Sequence, residues 1–150
     1  MRQSIKSEIE QAIGRGDVKG VLALLDHDVP VNQRLASGST LLLLALDLGQ
    51  PAVVEALLLR GADPNESGYA GITPLQAAVD TAMEEAKLAF DSGRPDVPPS
   101  TEMVALLLRF GADPQREDNQ GQSAIDWARE TGHDAATALF RKPMGGDYRS

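Results

Sequence analysis

The chain has 150 residues, of which 14 are Lys or Arg and 22 are Asp or Glu, so its formal net charge is −8. The length suits one compact unit, and the excess of acid disfavours a nucleic-acid-binding protein, because phosphate is bound by Lys and Arg. There is no cysteine, which excludes disulfides and thiolate chemistry, and the low aromatic content, 4%, predicts a core of Leu, Ala and Val.

The first residues, MRQSIKSEIEQ, carry charges where a secretion signal would be apolar. The longest apolar run, LLLLAL at 41–46, is too short to span a bilayer. We therefore expect a cytoplasmic protein that does not bind membranes.

The first unit of the chain, residues 4–34, predicts two helices separated by a turn. Ile5, Ile9 and Ile13 lie at helical spacing among charged residues, and the glycine-rich segment GRGDVKG precedes the apolar run VLALL. GRGDVKG lacks the spacing of a phosphate-binding loop. We interpret it as the turn between the two helices.

The second unit, residues 35–67, has the same plan with clearer boundaries. The segment GSTLLLLAL is followed by PAVVEALLLRGADPN, in which Pro51 opens a helix because proline loses nothing at the first helical position. Gly61 ends that helix, since glycine accepts a left-handed backbone without a Cβ clash.

The third unit, residues 68–117, contains an insertion at 80–99. Thr73 and Pro74 begin a helix whose apolar stripe continues to Phe90. We therefore expect this helix to extend to about Asp91, which makes it longer than the corresponding helix of the second unit. The segment DSGRPDVPPS then predicts a loop, after which Ser100 would cap the next helix. The stripe is either covered by the chain itself, through the Pro-rich segment, or contacted by a partner.

The fourth unit, residues 118–140, predicts a capping repeat, because Ala136 and Thr137 stand where other units have a large apolar pair. Residues 141–150 contain proline, two glycines and charges, and predict a flexible tail.

These units repeat at a fixed interval. Thr40 and Thr73 are 33 residues apart, as are Asn32 and Asn65, and Thr73 precedes Ser123 by 50 residues, 17 more than the period. The motif GITPLQAAV with the later GADPN and GADPQ resembles the ankyrin repeat. The resemblance covers about residues 4–140 and comprises four repeats, the third carrying a 17-residue insertion.

The resemblance implies an all-α fold, a solenoid of stacked helix-turn-helix units joined by short β-hairpin-like loops. Within 1–140 we expect a single domain, since no unit can bury its apolar face without its neighbours. The sequence departs from the family at one position: the family's loop-bracing His is replaced by Leu43, Gln76 and Asp126.

No residue pattern indicates catalysis. His27 and His133 lack a nucleophile motif around them, and no His pair has metal-ligand spacing. Asp80 and Glu84 share a helix face, which we interpret as solvated rather than catalytic. We therefore predict that the protein is not an enzyme and needs no cofactor or metal. Trp127, the only tryptophan, is interpreted as packing between repeats rather than as a ligand platform.

The charge is concentrated in the middle of the chain. Residues 35–66 hold one basic and four acidic side chains, and residues 67–115 hold three and seven. Such a field attracts an oppositely charged partner. The resemblance implies contact through loop tips and inner helices, which gives these candidate partner-binding residues: Ser37, Ser39, Asp47, Leu48, Tyr69, Ile72, Asp80, Thr81, Glu84, Asn119, Gln120, Gln122 and Glu130.

Three functions remain open from the sequence. The first is a monomeric protein-interaction module or adaptor whose concave acidic surface binds a basic protein. A narrower form of it is a bacterial inhibitor or immunity-type protein that neutralises an enzyme or toxin. The third is a structural assembly protein in which the extended helix pairs two copies.

Overall fold

The computed structural model describes residues 2–27, 29–35 and 37–141, with side chains described from residue 7 onward. Most of the predicted tail, residues 142–150, lies outside the described residues. The described chain forms eight α-helices: α1 Arg2–Arg15, α2 Val18–Leu25, α3 Leu41–Asp47, α4 Pro51–Leu59, α5 Pro74–Asp91, α6 Glu102–Arg109, α7 Ala124–Thr131 and α8 Asp134–Arg141.

The helices form consecutive antiparallel pairs that stack in a row. Each pair joins an inner helix (α1, α3, α5 or α7) to an outer one (α2, α4, α6 or α8), and each inner helix packs on the next inner helix. The outer helices α2, α4 and α6 stack in the same order. Within the described ranges the loops contain two isolated antiparallel bridges and no strand. This architecture confirms the predicted all-α solenoid of helix pairs.

Three inner helices begin in the same way, which explains why Thr or Ser recurs at the same position of these repeats. The side chains of Thr40, Thr73 and Ser123 each accept a hydrogen bond from the backbone N–H three residues later. These bonds satisfy amide groups that a helix start otherwise leaves without a partner. Pro51 and Pro74 lie at the starts of α4 and α5, as predicted.

Asn32 and Asn65, which are 33 residues apart, each hold the Gly-Ala-Asp turn of the following unit. The Asn32 amide accepts a hydrogen bond from the Asp63 backbone N–H at 2.9 Å and donates to the Gly61 carbonyl at 3.3 Å. Asn65 makes the same two contacts to Asp113, at 2.7 Å, and to Gly111, at 3.1 Å. The Gly-Ala-Asp turn is thus held in both places by an asparagine of the preceding unit.

Gln76 occupies the position at which the resemblance led us to expect a histidine, and it braces the loop in that residue's place. It is buried, and its side-chain oxygen accepts from the Thr73 backbone N–H at 2.9 Å. Its amide donates to the Asp118 carboxylate at 3.0 Å and to the Gln122 carbonyl at 3.2 Å. Two consecutive loops are thereby tied through one buried side chain.

The other two substitutions at this position are handled differently. Leu43 is buried beneath Gly68 of the next loop, and Arg34 instead ties the first loop to the second by donating to the carbonyls of Gly38 and Ser67, both at 2.6 Å. Asp126 forms a capping box with Ser123 within its own unit.

The insertion lengthens α5 to Asp91, as predicted, but the buried face differs from the expected stripe. Ala82 and Ala89, two turns apart, are buried, whereas Phe90 is 64% exposed. Phe90 is wrongly predicted because it lies about 100° around the helix from Ala89, off the face that contacts the repeat. The following residues 91–98 are exposed and do not cover it.

After the insertion, a contact between Ser100 and His133 connects the start of α6 to the last repeat. The residue at the cap position of α6 is Thr101, one residue after the predicted Ser100. The Ser100 hydroxyl still accepts a hydrogen bond from the Glu102 backbone N–H at 3.1 Å. His133 is buried, with its Nδ1 accepting from the Ala136 N–H at 3.3 Å and its Nε2 lying 3.0 Å from the Ser100 carbonyl. Its contacts give it a structural role.

We expect Gln76→Ala to destabilise the fold. The substitution removes the acceptor of the buried Thr73 N–H and both contacts to the next loop, and a lost buried hydrogen bond costs about 1–3 kcal/mol. Urea unfolding should show a fall of this size, whereas the exposed Gln115→Ala, a matched control, should change stability by less than about 0.5 kcal/mol. Equal stability of the two variants would contradict the bracing role.

Asp118 should make the stability of this loop depend on pH. The hydrogen bond from the Gln122 backbone N–H is the main cause that lowers the pKa of Asp118 below its ordinary 3.8; partial burial opposes it, and bonds from Gln76 and Gln120 add to it. A lowered folded-state pKa gives stability that is complete above 3.8 and is lost as the pH falls through the folded value.

Asp118→Asn should therefore be less stable than the wild type near neutral pH, and the difference between their urea midpoints should shrink as the pH falls below 3.8. Unfolding curves of both proteins over an acid series measure this. A difference that is independent of pH would show that the ionised form of Asp118 adds nothing to the fold.

Candidate functional site

A pocket of about 370 Å³ opens on the inner-helix side of the stack. Its walls come from three consecutive repeats: the loops at Ser37–Ser39 and Gly68–Ile72, the inner helices α3 and α5, and one side chain from α7. The lining residues are Ser37, Ser39, Leu43, Asp47, Gly68, Tyr69, Ile72, Gln76, Ala77, Asp80 and Trp127. Six of these were among the sequence-predicted candidates: Ser37, Ser39, Asp47, Tyr69, Ile72 and Asp80.

The acidic side of the pocket follows from the repeat register. Asp47, Asp80 and Glu130 each lie seven residues after the capping Thr or Ser of their inner helix, so stacking places them in consecutive repeats at equivalent positions. We call these three residues the acidic row. Among the described side chains, no Lys or Arg forms an ion pair with Asp47 or Asp80.

Of the two pocket carboxylates, Asp47 is affected by burial and by the charge of Asp80. Partial desolvation is the main cause that raises the pKa of Asp47 above its ordinary 3.8, and the negative charge of Asp80 raises it further. Asp47 as a whole remains exposed, so this desolvation affects the carboxylate at the pocket without enclosing the residue. An ionised carboxylate held beside another without a counter-ion provides a place for a cation.

The opposite wall is aromatic and apolar. Tyr69 is 82% exposed at the tip of a single 3₁₀ turn, Tyr69–Gly71, and Ile72 is half-buried beneath it. Ala70 in this turn has φ of 59°, a left-handed conformation that is uncommon outside glycine. Its carbonyl accepts from the Asn119 N–H at 3.0 Å, which connects the Tyr69 tip to the loop of the next repeat.

Trp127 closes the far end of the pocket. The ring packs against the core, as the sequence interpretation held, and it also lines the cavity. Its indole N–H is buried without a hydrogen-bond acceptor among the described residues.

The remaining predicted candidates lie outside the pocket lining. Gln122 donates to the Glu130 carboxylate at 2.9 Å and 3.2 Å, so this end of the acidic row already has a hydrogen-bond donor. The Gln120 backbone donates to Asp118 at 2.9 Å. Leu48, Glu84, Asn119 and Gln120 are exposed, and Thr81 is half-buried.

Sequence reasoning missed five pocket residues: Leu43, Gly68, Gln76, Ala77 and Trp127. All but Gly68 lie in the first turn of an inner helix, where the repeat pattern indicates packing, and Leu43, Gln76 and Ala77 are indeed buried. Leu43, Gln76 and Asp126 occupy the same position in three repeats but differ in chemistry. This difference is the sequence signal that could have indicated different surroundings at this position.

Within the described ranges, no group of three or more His, Cys, Asp or Glu side chains is placed to hold a metal ion. None of the described helices combines the length and hydrophobicity that crossing a membrane would require.

Comparison with known proteins agrees with this architecture. The family model for the ankyrin repeat matches residues 37–69. Similar proteins include ankyrin repeat domain-containing protein 63 of Homo sapiens, 33% identical over 119 residues that cover 77% of this chain and 27% of that protein. The inactive serine/threonine-protein kinase TEX14 of Bos taurus is 26% identical over 136 residues, covering 91% of this chain and 8% of that protein.

A further relative, the ADP-ribosylation factor GTPase-activating protein AGD4 of Arabidopsis thaliana, is 30% identical over 123 residues, 76% of this chain and 14% of that protein. The chain thus spans between 8% and 27% of the length of these three relatives. Ankyrin repeats are typically non-enzymatic. The repeat spacing, the stacked helix pairs and these similarities show that the chain belongs to the ankyrin-repeat family, whose repeats are generally protein–protein interaction modules.

Proposed function

We propose that this protein is an interaction module that binds a basic protein partner through its concave acidic surface. One observation carries the proposal: the pocket on the inner-helix side joins two carboxylates without a basic ion-pair partner, Asp47 and Asp80, to the exposed aromatic ring of Tyr69. Exposed aromatic residues beside complementary charge are common centres of binding energy at protein interfaces.

The charge distribution supports a basic partner. The two middle segments, 35–66 and 67–115, together contain eleven acidic and four basic residues. Glu84 lies one turn after Asp80 on α5 and is exposed, so it extends the negative surface away from the pocket. Several like charges on one surface accelerate the encounter with an oppositely charged protein and make it sensitive to salt.

Charge reversal on the concave surface tests this proposal. Asp47→Lys, Asp80→Lys and Glu84→Lys, combined in one variant, should weaken partner binding at least tenfold, about 1.4 kcal/mol. Affinity capture from the native cell with quantitative mass spectrometry identifies the partner, and calorimetry with that partner measures the affinity. Wild-type binding should also weaken as salt is raised from about 0.05 to 0.5 M.

A second triple variant controls for the change in net charge. Glu55→Lys, Asp96→Lys and Glu102→Lys reverse the same number of exposed acids on the outer helices α4 and α6 and in the insertion loop. This variant should bind the partner with an affinity near that of the wild type. A captured partner whose affinity is insensitive to salt and to the concave reversals would refute the proposal.

A second candidate function is self-association through the end of α5. Leu88 is 58% exposed, Phe90 is 64% exposed and Val97 is 43% exposed, so the insertion carries an apolar surface that the described chain does not cover. Under this candidate, α5 pairs two copies and the repeat stack serves as an assembly unit.

Light scattering over a concentration series distinguishes the two candidates. Self-association predicts a mass that rises with concentration, and Leu88→Asp with Phe90→Asp should return it to the mass of one chain because charge opposes apolar contact. Leu59→Asp, at an exposed leucine on α4, is the matched control and should leave the rise unchanged. A constant one-chain mass for the wild type contradicts self-association.

A further inference from the structure

We infer that the pocket lined by Asp47, Asp80, Tyr69 and Trp127 is the binding site for a single arginine side chain of the partner. This inference rests on the proposed function and specifies which chemical group of the partner is recognised. It depends on the combination of carboxylates, aromatic surface and cavity size in one place.

The carboxylates provide charge from two directions. Asp47 ends α3, whereas Asp80 lies two turns into α5, so the two acids are held by different helices at equivalent positions. A planar guanidinium has five donors in a fixed fork and can bond two acceptor groups at once. A bound cation would also neutralise the repulsion that Asp80 exerts on Asp47.

The rest of the lining favours a guanidinium over an ammonium. Leu43, Ile72 and Ala77 give an apolar floor and wall, and Tyr69 and Trp127 are aromatic. Guanidinium is more weakly hydrated than ammonium and stacks on aromatic rings, so it loses less on entering such surroundings. The long apolar stem of arginine packs on the same surfaces.

The cavity is sized for a side chain. Its volume of about 370 Å³ lies at the small end of the range for ligand pockets, about 300–1,000 Å³. A helix of about 10 Å diameter would contact the rim without filling the pocket. An arginine on a loop or extended segment of the partner can reach in, while its backbone remains near the exposed Tyr69 and Ser37.

Trp127 supplies a direct reporter for the experiment. It is the only tryptophan in the chain, so its indole N–H gives one resonance in a ¹H–¹⁵N spectrum, and Trp127 is one of the residues that line the pocket. Nα-acetyl-arginine amide should shift this resonance saturably. Nα-acetyl-lysine amide should bind at least threefold more weakly, and the neutral analogue Nα-acetyl-citrulline amide should give no saturable shift.

Isosteric amides at the two acids test the charge requirement. Asp47→Asn and Asp80→Asn should each weaken acetyl-arginine amide binding at least fivefold, while Glu55→Gln, an acid-to-amide change on α4, should leave it unchanged. Tyr69→Ala should also weaken binding, because it removes one aromatic wall at an exposed position that the fold does not need.

Thermal unfolding separates this effect from damage to the fold. A carboxyl group with a raised folded-state pKa destabilises the folded state once it is ionised, and its contribution falls as the pH rises through that value. Asp47→Asn should therefore raise the thermal midpoint near neutral pH while it weakens arginine binding. Unchanged arginine binding by this folded variant would overturn the proposal.

Other outcomes also decide the question. Equal or tighter binding of the lysine or citrulline compound overturns arginine recognition. A Trp127 resonance that does not shift when the arginine compound is added also overturns arginine recognition. If the charge-reversed variant nevertheless loses its partner, the basic-partner function stands and only the arginine assignment fails. If arginine binds as expected but the captured partner ignores salt and charge reversal, the assignment stands and the proposed function fails.

Discussion

The fold depends on the contact between consecutive inner helices. α3 has seven residues and α7 has eight, lengths at which an isolated helix is unstable in water. Each is held because Leu41, Leu46, Leu75 and Ala124, among others, are buried in one core that continues through the stack. On the outer side, the Asn32 and Asn65 amides fix the turns at the same spacing. The stack can therefore be extended or ended only in whole repeats, and any side chain on the inner surface has its equivalent one repeat away.

This register determines the chemistry of the concave surface. Residues at one position of the repeat form rows, and the acidic row brings Asp47 beside Asp80 although nothing in the local helix requires it. Such a row costs stability, because desolvation and the neighbouring charge raise the pKa of Asp47. At neutral pH the ionised group therefore opposes folding. A stack whose stability is a sum over several repeats and interfaces can tolerate one unfavourable contact, and residues that destabilise a fold without a packing reason are typical of binding sites.

Much of the fold could be predicted from the sequence, because the features concerned are local or periodic. The capping residues Thr40, Thr73 and Ser123 and the start of α5 at Pro74 follow from short-range rules. The residues that were missed depend on contacts between units. Gln76 could not be assigned its bracing role, since its partners Asp118 and Gln122 lie 42 and 46 residues away. The apolar pattern of α5 is compatible with a buried face that includes Phe90 and with one that includes Ala89. Only the position of the neighbouring helices determines that Ala89 is the buried residue.

Two positions that vary between repeats contribute side chains to the pocket. Where the repeat is strict, as at the caps and the Gly-Ala-Asp turns, the side chains are used in hydrogen bonds that every unit needs. Where it is not, the three equivalents are Leu43, Gln76 and Asp126, or Leu44, Ala77 and Trp127. An identical residue in each repeat would give a uniform groove. The differences instead produce a cavity with acids on one side, aromatic rings on the other and a small alanine between them. A partner that recognises this cavity must match one register of the stack, because moving by one repeat would replace Trp127 with Ala77 and Tyr69 with a residue of the first loop.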